Sequence, residues 1–415
     1  MTPELRWATA DELDTVALTR LRCYAGAAKE LDSMKERLLA EGRAKVGDYL
    51  LAFRDGQPVG TTTSLSLTMW VRGAPLPCQG VAWVGAVKTE RRRGAAPGTT
   101  DAAPGVATLV MRETLRKARE RGEVLSALMP FRASFYEKFG YGLAERPVDW
   151  TLPMAVLPVG DCAGMRFHAP EDVPAMHACR QRTVARGQCD IERPLHAWDR
   201  YLKWFDNGFV VVDPDPAGPG LRGWLAFENV QEGTKDGVRV NEIYFDTPAV
   251  LRRQLCFLAT LRDQYAHAVL TLPADLPLNH LLRESQVPHR PVNHAHAEAR
   301  PYTRMQVRVL DHRRFLEALL LPAHLRGMCT VAIRETEGDV CRLRLDLSDG
   351  HVTVAPATAD PDLAITDRTW ASIVTGDLPI RFAIEHGLVA CSSPAALPLL
   401  EAFAAGPAPF CRDFF

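Results

Sequence analysis

No apolar run in this 415-residue sequence reaches the eighteen or so residues that a membrane-spanning helix needs. Charge of one sign is also missing: 49 Lys and Arg face 50 Asp and Glu, for a formal net charge of −1. Without a basic excess there is no bulk attraction for nucleic acid, and neither a nucleic-acid nor a membrane partner is expected. Paired cysteines are absent. The ten cysteines stand singly, none in a C-x-x-C pair or a zinc-ligand spacing. In a chain of this length they predict reduced, mostly buried thiols in a reducing compartment. The opening Met1-Thr2-Pro3-Glu4-Leu5-Arg6 has no apolar stretch behind a basic start, so no signal peptide is predicted and the cytoplasm is the expected location. His294 and His296 have no third ligand in a fixed relation to them, so no metal is expected.

What remains is an ordinary globular composition, 47% hydrophobic and 24% charged, in a chain too long for one core. Tyr49–Phe53, Val59–Met69 and the almost wholly apolar Val81–Val87 read as strands. A helix is predicted from about Val106 to Arg121, because Val106, Leu109, Val110, Leu115 and Ala118 recur at helical spacing and Gly122 stops it. Val124–Met129 reads as a strand, and Phe135–Tyr141 as a short helix and turn. From Met165 the order begins again. Arg166-Phe167-His168-Ala169-Pro170-Glu171-Asp172 echoes the opening element, strands follow at Phe209–Val212, Arg222–Asn229 and Val240–Phe245, and a helix and strand follow at about 249–265 and 268–272. This repeat of about 160 residues predicts a duplicated domain. Past Arg300 the texture changes: Met305–Val309 reads as a strand, the apolar run Leu316–Leu321 as a helix, and Cys329–Arg334, Cys341–Leu347 and Val352–Ala355 as alternating strands, with further helices near Asp367–Thr375 and Ala395–Ala404. The expected domains are 1–150, 151–290 and 291–415, in an α/β (α+β) architecture.

The sharpest local feature is a strand that feeds a helix through Arg91-Arg92-Arg93-Gly94. Free backbone N–H groups at such a turn, with a helix dipole behind them and arginines beside them, make an anion site suited to a pyrophosphate. The same residues also fit a solvated basic turn. The second copy has no such turn; after Phe245 it reads Asp246-Thr247-Pro248.

The strand, the Arg91–Gly94 run and Phe135-Tyr136-Glu137-Lys138-Phe139-Gly140-Tyr141 together resemble the Eis (enhanced intracellular survival) branch of the GNAT acetyltransferases. The resemblance covers the whole chain. It implies a catalytic GNAT domain, a degenerate second GNAT-like domain and a C-terminal domain similar to sterol carrier protein. It implies acetyl-CoA as cosubstrate and a small-molecule amine, of aminoglycoside or lysine type, as acceptor. It also implies a homo-oligomer, typically a hexamer. By the same resemblance Tyr136 is the general acid, the C-terminal carboxylate of Phe415 the general base, and Val84 or Ala86 supplies an N–H to the oxyanion. Arg91, Arg92, Gly94 and Gly105 are the implied pyrophosphate contacts. Trp83 and, less strongly, Tyr24 and Trp70 line the implied acceptor pocket, although core packing explains Trp83 nearly as well. A serine that precedes the acid in the family is replaced by Phe131.

One departure concerns Ala95–Gly105, an insert of Pro, Gly and Ala inside the phosphate loop. Either Arg91-x-x-Gly94-x-Ala96 forms the motif directly, or Gly105-Val106-Ala107 opens the helix with the arginines beyond a bulge. Pro97 and Pro104 favour the second. A weakened enzyme that carries an apolar ligand in its sterol-carrier-like domain is the alternative reading.

Overall fold

The structure is a computed structural model, and it describes every residue except 1, 25, 27, 41–43, 92–103, 199–201, 203–207, 233–234, 288 and 291–295. The first segment contains β1 (Glu4–Trp7), α1 (Leu13–Cys23), α2 (Leu31–Ala40), β2 (Tyr49–Arg54), β3 (Gln57–Val71), β4 (Ala74–Ala86), α3 (Val106–Glu120), β5 (Leu125–Leu128), α4 (Ala133–Glu137), β6 (Gly142–Leu143) and β7 (Pro147–Pro153). The second contains β8 (Arg166–Phe167), α5 (Val173–Arg186), β9 (Gln188–Ile191), β10 (Gly208–Pro214), β11 (Leu221–Glu232), β12 (Lys235–Phe245), α6 (Pro248–Thr260), β13 (His267–Pro273), β14 (Glu298–Pro301) and β15 (Gln306–Val309). The third contains α7 (His312–Ala318), β16 (Gly327–Arg334), β17 (Val340–Ser348), β18 (His351–Pro356), β19 (Leu363–Thr366), α8 (Asp367–Val374), α9 (Ile380–Glu385), β20 (Ala390–Cys391) and α10 (Leu397–Ala404).

Among the described residues these strands form three sheets. The first runs β1-β2-β3-β4-β5-β15-β6, with β9 paired to β3. The second runs β8-β10-β11-β12-β13-β7-β14, and the third β18-β17-β16-β19-β20. The first two orders correspond strand for strand, so the predicted duplication is real at the level of topology. The correspondence hides an exchange. Strand β7, which follows β6 in the chain, sits beside β13 in the second sheet. Strand β15, which follows β14, fills the equivalent place beside β5 in the first. Sheet membership therefore does not change at residues 150 and 291. The boundary at 150 falls inside β7, and β14 and β15 belong to the second and first sheets rather than to a C-terminal unit. The reason is that a strand pattern specifies which face is buried but not which edge accepts the strand.

Helix α3 buries Val106, Val110, Met111, Leu115 and Ala118 against β2, β3 and β4, one face at a spacing of 3.6. Each large apolar side chain so buried contributes about 1.5–3 kcal/mol. Helices α1 and α2 cover the opposite face near β2, through Val16, Leu21, Met34 and Leu38. The C-terminal unit covers the same face at the β4–β5 end, because Cys78, Ala127 and Val307 join one continuous core with Val331, Leu345, Trp370 and Phe403. The 316–321 helix expected from the apolar run is displaced: α7 ends at Ala318, and Leu319–Leu321 continue as a non-helical connection.

Candidate functional site

Strands β4 and β5 run parallel because α3 carries the chain back between them. Their pairing covers only Cys78↔Leu125 to Val81↔Leu128, while β4 continues five residues further to Ala86. The two strands therefore part beyond Val81 and leave a fork in the middle of the sheet.

The β4 arm of the fork is irregular. Two residues, Trp83 and Val84, oppose Thr62 of β3, and Trp83 takes a left-handed φ of 56°. This bulge takes Val84 out of the ladder, and its carbonyl accepts the Tyr24 hydroxyl at 2.7 Å. Three residues on, Val87 N–H bonds Val59 O, so strand alternation turns the N–H and C=O of Ala86 away from β3 and toward the fork. Gly85 presses against the end of α1; a Cβ there would lie 2.7 Å from Cys23 Cβ. The apolar run suggested a regular buried strand, but the bulge leaves Trp83 37% exposed.

Trp83 meets the Tyr24 ring edge-on at 5.3 Å and lies under the Arg20 guanidinium at 4.8 Å. Beside them is a cavity of about 280 Å³ lined by Arg20, Tyr24, Glu30, Met34, Arg37 and Trp83. Trp83 and Tyr24 thus share one pocket. Trp70 lies toward the other end of β3, paired to Asp190 of β9, and is not part of it.

Helix α3 starts at Val106 with Gly105 at its N-cap, in keeping with the helix-breaking prolines before it. Among the described residues no side chain caps it and no acidic residue stands in its first turn, so its amides and dipole are available to an anion. Gly60 of β3 makes room for this helix start: a Cβ there would lie 2.4 Å from Val106 Cγ1. Arg91 uses its guanidinium on backbone, donating to Cys23 O at 2.7 Å and Ala86 O at 3.4 Å, and so ties the end of β4 to the end of α1. Arg92 and Gly94 lie outside the described residues.

The two tyrosines of the Phe135–Tyr141 element have different duties. Tyr141 is fully buried and its hydroxyl bonds Ser126 Oγ at 2.6 Å, and Ser126 in turn donates to Gln79 Oε1 at 2.9 Å. Tyr136 packs edge-on against Phe135 at 4.9 Å and Phe131 at 5.9 Å, within the core that holds Val81, Val84 and Leu128. Its hydroxyl has no hydrogen-bond partner among the described residues. Burial pushes its pKa above the usual phenol value, so at neutral pH it carries its proton.

The C-terminus arrives on the other side. Gln79 donates to Thr114 O of α3 at 2.7 Å, and Val81 packs with α3, so alternation turns Gly80 to the opposite face. There the Phe415 ring lies on Gly80, where an added Cβ would come 2.9 Å from Phe415 Cδ2. Gly80 is paired with Ala127, one step before the fork opens. Tyr136 and Phe415 therefore approach the fork from opposite faces of one sheet.

Sequence reasoning missed the residues that hold this tail. Asp413 is fully buried between Arg180 and Arg193, 3.2 Å from each. Arg193 also pairs with Glu242 at 2.7 Å, and Arg412 with Asp190 at 2.9 Å. Cys411 N–H donates to Glu145 at 2.9 Å, and Glu145 is paired with Arg304 at 2.7 Å. No local signal marks these partners, because more than two hundred residues separate most of them.

Glu335, Glu337 and Asp367 bring their carboxylates together near the start of α8. Arg308 donates to Glu337 at 2.6 Å and to Glu335 at 3.1 Å, and Thr336 bonds Asp367, so the cluster is an ion-pair network of the fold. Among the described residues no helix is long and apolar enough to cross a membrane.

Two family profiles match the chain, each described as an acetyltransferase (GNAT) domain, over residues 4–144 and 189–309. An uncharacterized N-acetyltransferase of Streptomyces avermitilis is 24% identical over 397 residues, 88% of this chain and 87% of that one. Among solved structures, a GCN5-related N-acetyltransferase from Anabaena variabilis superposes with a TM-score of 0.83 at 17% identity, over the full length of both chains. Eis1 from Mycobacterium abscessus gives 0.78 at 19% identity, covering 99% of this chain and all of that one.

Proposed function

Because this chain is an N-acetyltransferase carrying two GNAT domains in tandem, we propose that it moves the acetyl group of acetyl-CoA to a primary amine at the fork between β4 and β5. Acetyl-CoA is the cosubstrate of GNAT acetyltransferases, and the residues at this fork fit it. The start of α3 offers its first amides to a pyrophosphate, and Arg91 stands in the connection before it; Arg92 and Gly94, which lie outside the described residues, are kept as proposed contacts of the same group. Ala86 turns its N–H away from β3 toward the fork, where an extended pantetheine arm can use it, while its carbonyl takes Arg91.

Acyl transfer forms a C–N bond and breaks a C–S bond. The amine must give up protons, the oxyanion needs a donor, and the leaving thiolate benefits from a proton. The Phe415 carboxylate takes the proton from the amine. Backbone N–H of Val84 or Ala86 faces the oxyanion. Tyr136, held protonated by burial, donates to the sulfur. What supports this reading is that Tyr136, whose hydroxyl has no hydrogen-bond partner among the described residues, and Phe415 pack against β4 beside the fork from opposite faces.

The acceptor enters beside Trp83 and Tyr24. Glu30 in that lining suits an ammonium, while Arg20 and Arg37 disfavour a second one. A lysine-type amine therefore fits better than an aminoglycoside. For the C-terminal unit we keep the sterol-carrier-like reading and give it a scaffold role, delivering the tail to the fork. A homo-oligomer, a hexamer of the 45.9 kDa chain, completes the proposal and is read by light scattering.

The test is to add one alanine after Phe415, or to amidate the terminus, and to follow thiol release from acetyl-CoA with a panel of amines. Turnover is expected to fall by about 10²-fold or more with the fold intact. Unchanged turnover in either protein sinks the base role.

A further inference from the structure

The second sheet repeats the fork. Strands β12 and β13 pair in parallel only from Gly237↔His267 to Val240↔Leu270, and β12 then continues to Phe245. Beyond Phe245 the two units differ. The connection to α6 is Asp246-Thr247, where the first unit has Val87 to Gly105. The Thr247 side chain caps α6 by accepting from Val250 N–H, and Pro248 has no N–H to offer. Asp246 sets a carboxylate at this turn, held by Arg182 at 2.8 Å and Arg186 at 3.2 Å. A pyrophosphate placed here meets a filled cap and a like charge.

The second fork is occupied by the chain itself. Its walls are β12 from Val240 to Phe245 and Thr271 and Leu272 of β13, and Phe410 and Arg412 lie across it, with a space of about 80 Å³ on the strand side and a more open one of about 320 Å³ toward Thr247 and Pro273. Phe410 N–H bonds Gln188 O at 2.9 Å. The Arg412 backbone and guanidinium both reach Asp190 at 2.9 Å. Asp413 follows with its two buried arginines, and Arg180 also bonds the Tyr244 hydroxyl of β12 at 3.2 Å.

We infer that the second GNAT domain has turned its own cofactor fork into a seat for the C-terminus. Asp413, with Arg180 and Arg193, and Arg412, with Asp190, are then positioning residues that set where the Phe415 carboxylate stands. The seat follows from geometry alone; the positioning role rests on the reading of Phe415 as base. Chain reach shows why an anchor matters. Two residues beyond Asp413 extend at most about 7 Å, whereas a tail loose from Gly406 sweeps roughly 30 Å. An apolar chain end left loose would fray, and a buried carboxylate between two buried cations is costly to break.

The test uses the full-length protein, Asp413→Asn, Asp413→Glu and Asp190→Asn. Four quantities are read: release of C-terminal phenylalanine by a carboxypeptidase, kcat, KM for acetyl-CoA, and the stoichiometry of CoA binding. Asp413→Asn is expected to speed phenylalanine release about tenfold or more and to lower kcat about as much, with KM for acetyl-CoA within about twofold. Asp413→Glu should recover part of both, and CoA should fill one site per chain. If Asp413→Asn does not fold, Asp190→Asn carries the test, because its partner Arg412 is less deeply buried and release should still rise a few-fold. Unchanged release in folded variants, or two CoA sites per chain, overturns the seat. Faster release with unchanged kcat keeps the seat and overturns the base role of Phe415.

Discussion

Gly80→Ala is the smallest change that should separate the last residue from its place at the fork. The added methyl would stand 2.4 Å from Leu67 Cδ1 and 2.9 Å from Phe415 Cδ2. Carbon atoms rest at about 3.5–4.0 Å, so the Phe415 ring must retreat by roughly 0.6–1.1 Å. A misplacement near 1 Å costs a reacting group about 10²-fold in rate, or about 2.7 kcal/mol of barrier. Overpacking itself costs about 1–3 kcal/mol of stability, which thermal unfolding reads separately. Leu67 must move as well, so Leu67→Ala and the Gly80→Ala/Leu67→Ala pair complete the experiment. The double variant relieves the Leu67 contact and leaves only the Phe415 contact. Gly47→Ala, whose Cβ would meet nothing within 4 Å, is the control. The expected result is a kcat lowered about 10²-fold in Gly80→Ala and still lowered in the pair, with KM for acetyl-CoA little changed and Gly47→Ala like the parent. A native kcat in Gly80→Ala, or full recovery in the pair, refutes the argument that Phe415 is held at the fork for chemistry.

Tyr136→Phe should lower kcat by about 10²–10⁴-fold at constant melting temperature, because its hydroxyl bonds nothing among the described residues. Tyr141→Phe should do the reverse, losing about 1–3 kcal/mol of stability as Ser126 is left short of a partner; equal kinetic effects in both would contradict the division of roles. A pH prediction concerns the start of α1, where Arg6, chiefly by its hydrogen bond, holds the Glu12 carboxyl down to about 2. The folded pKa is depressed, so this stabilisation is present above the ordinary value of 4.5 and is lost as pH falls toward about 2. The pair is partly exposed, which limits it to roughly 1 kcal/mol or less. The melting-temperature difference between the parent and Glu12→Gln should close across that window, and a constant difference would show that the charge is not the cause.

The elements that position the site were legible where one periodicity dominates. Val106, Val110 and Leu115 announced α3, and Pro104-Gly105 announced where it begins. The alternation in β17 announced a half-exposed strand. The bulge at Trp83 was not legible, because Gly85 beside it makes room for Cys23 and Tyr24 of a distant helix, and nothing at Trp83 itself signals a left-handed φ. Strand β9 was missed because Gln188-Cys189-Asp190-Ile191 is only four residues long and half polar, and its polar residues are buried as fully as the apolar ones. The seat of the tail was missed for a deeper reason. Asp413 and Arg193 are ordinary charges in the sequence, and they become a buried pair only once the two sheets stand side by side.

The exchange of β7 and β15 also sets a timetable. A ribosome delivers β6 about 165 residues before β15, which at roughly 5–20 residues per second is on the order of ten to thirty seconds. Through that interval the nascent catalytic half has an open edge at β5, where Leu125–Leu128 will later receive Gln306–Val309. An apolar, unpaired edge is an invitation to foreign strands. Shielding of this edge during synthesis is therefore expected, and on the proposed reading the first GNAT domain becomes competent only after the second has been made.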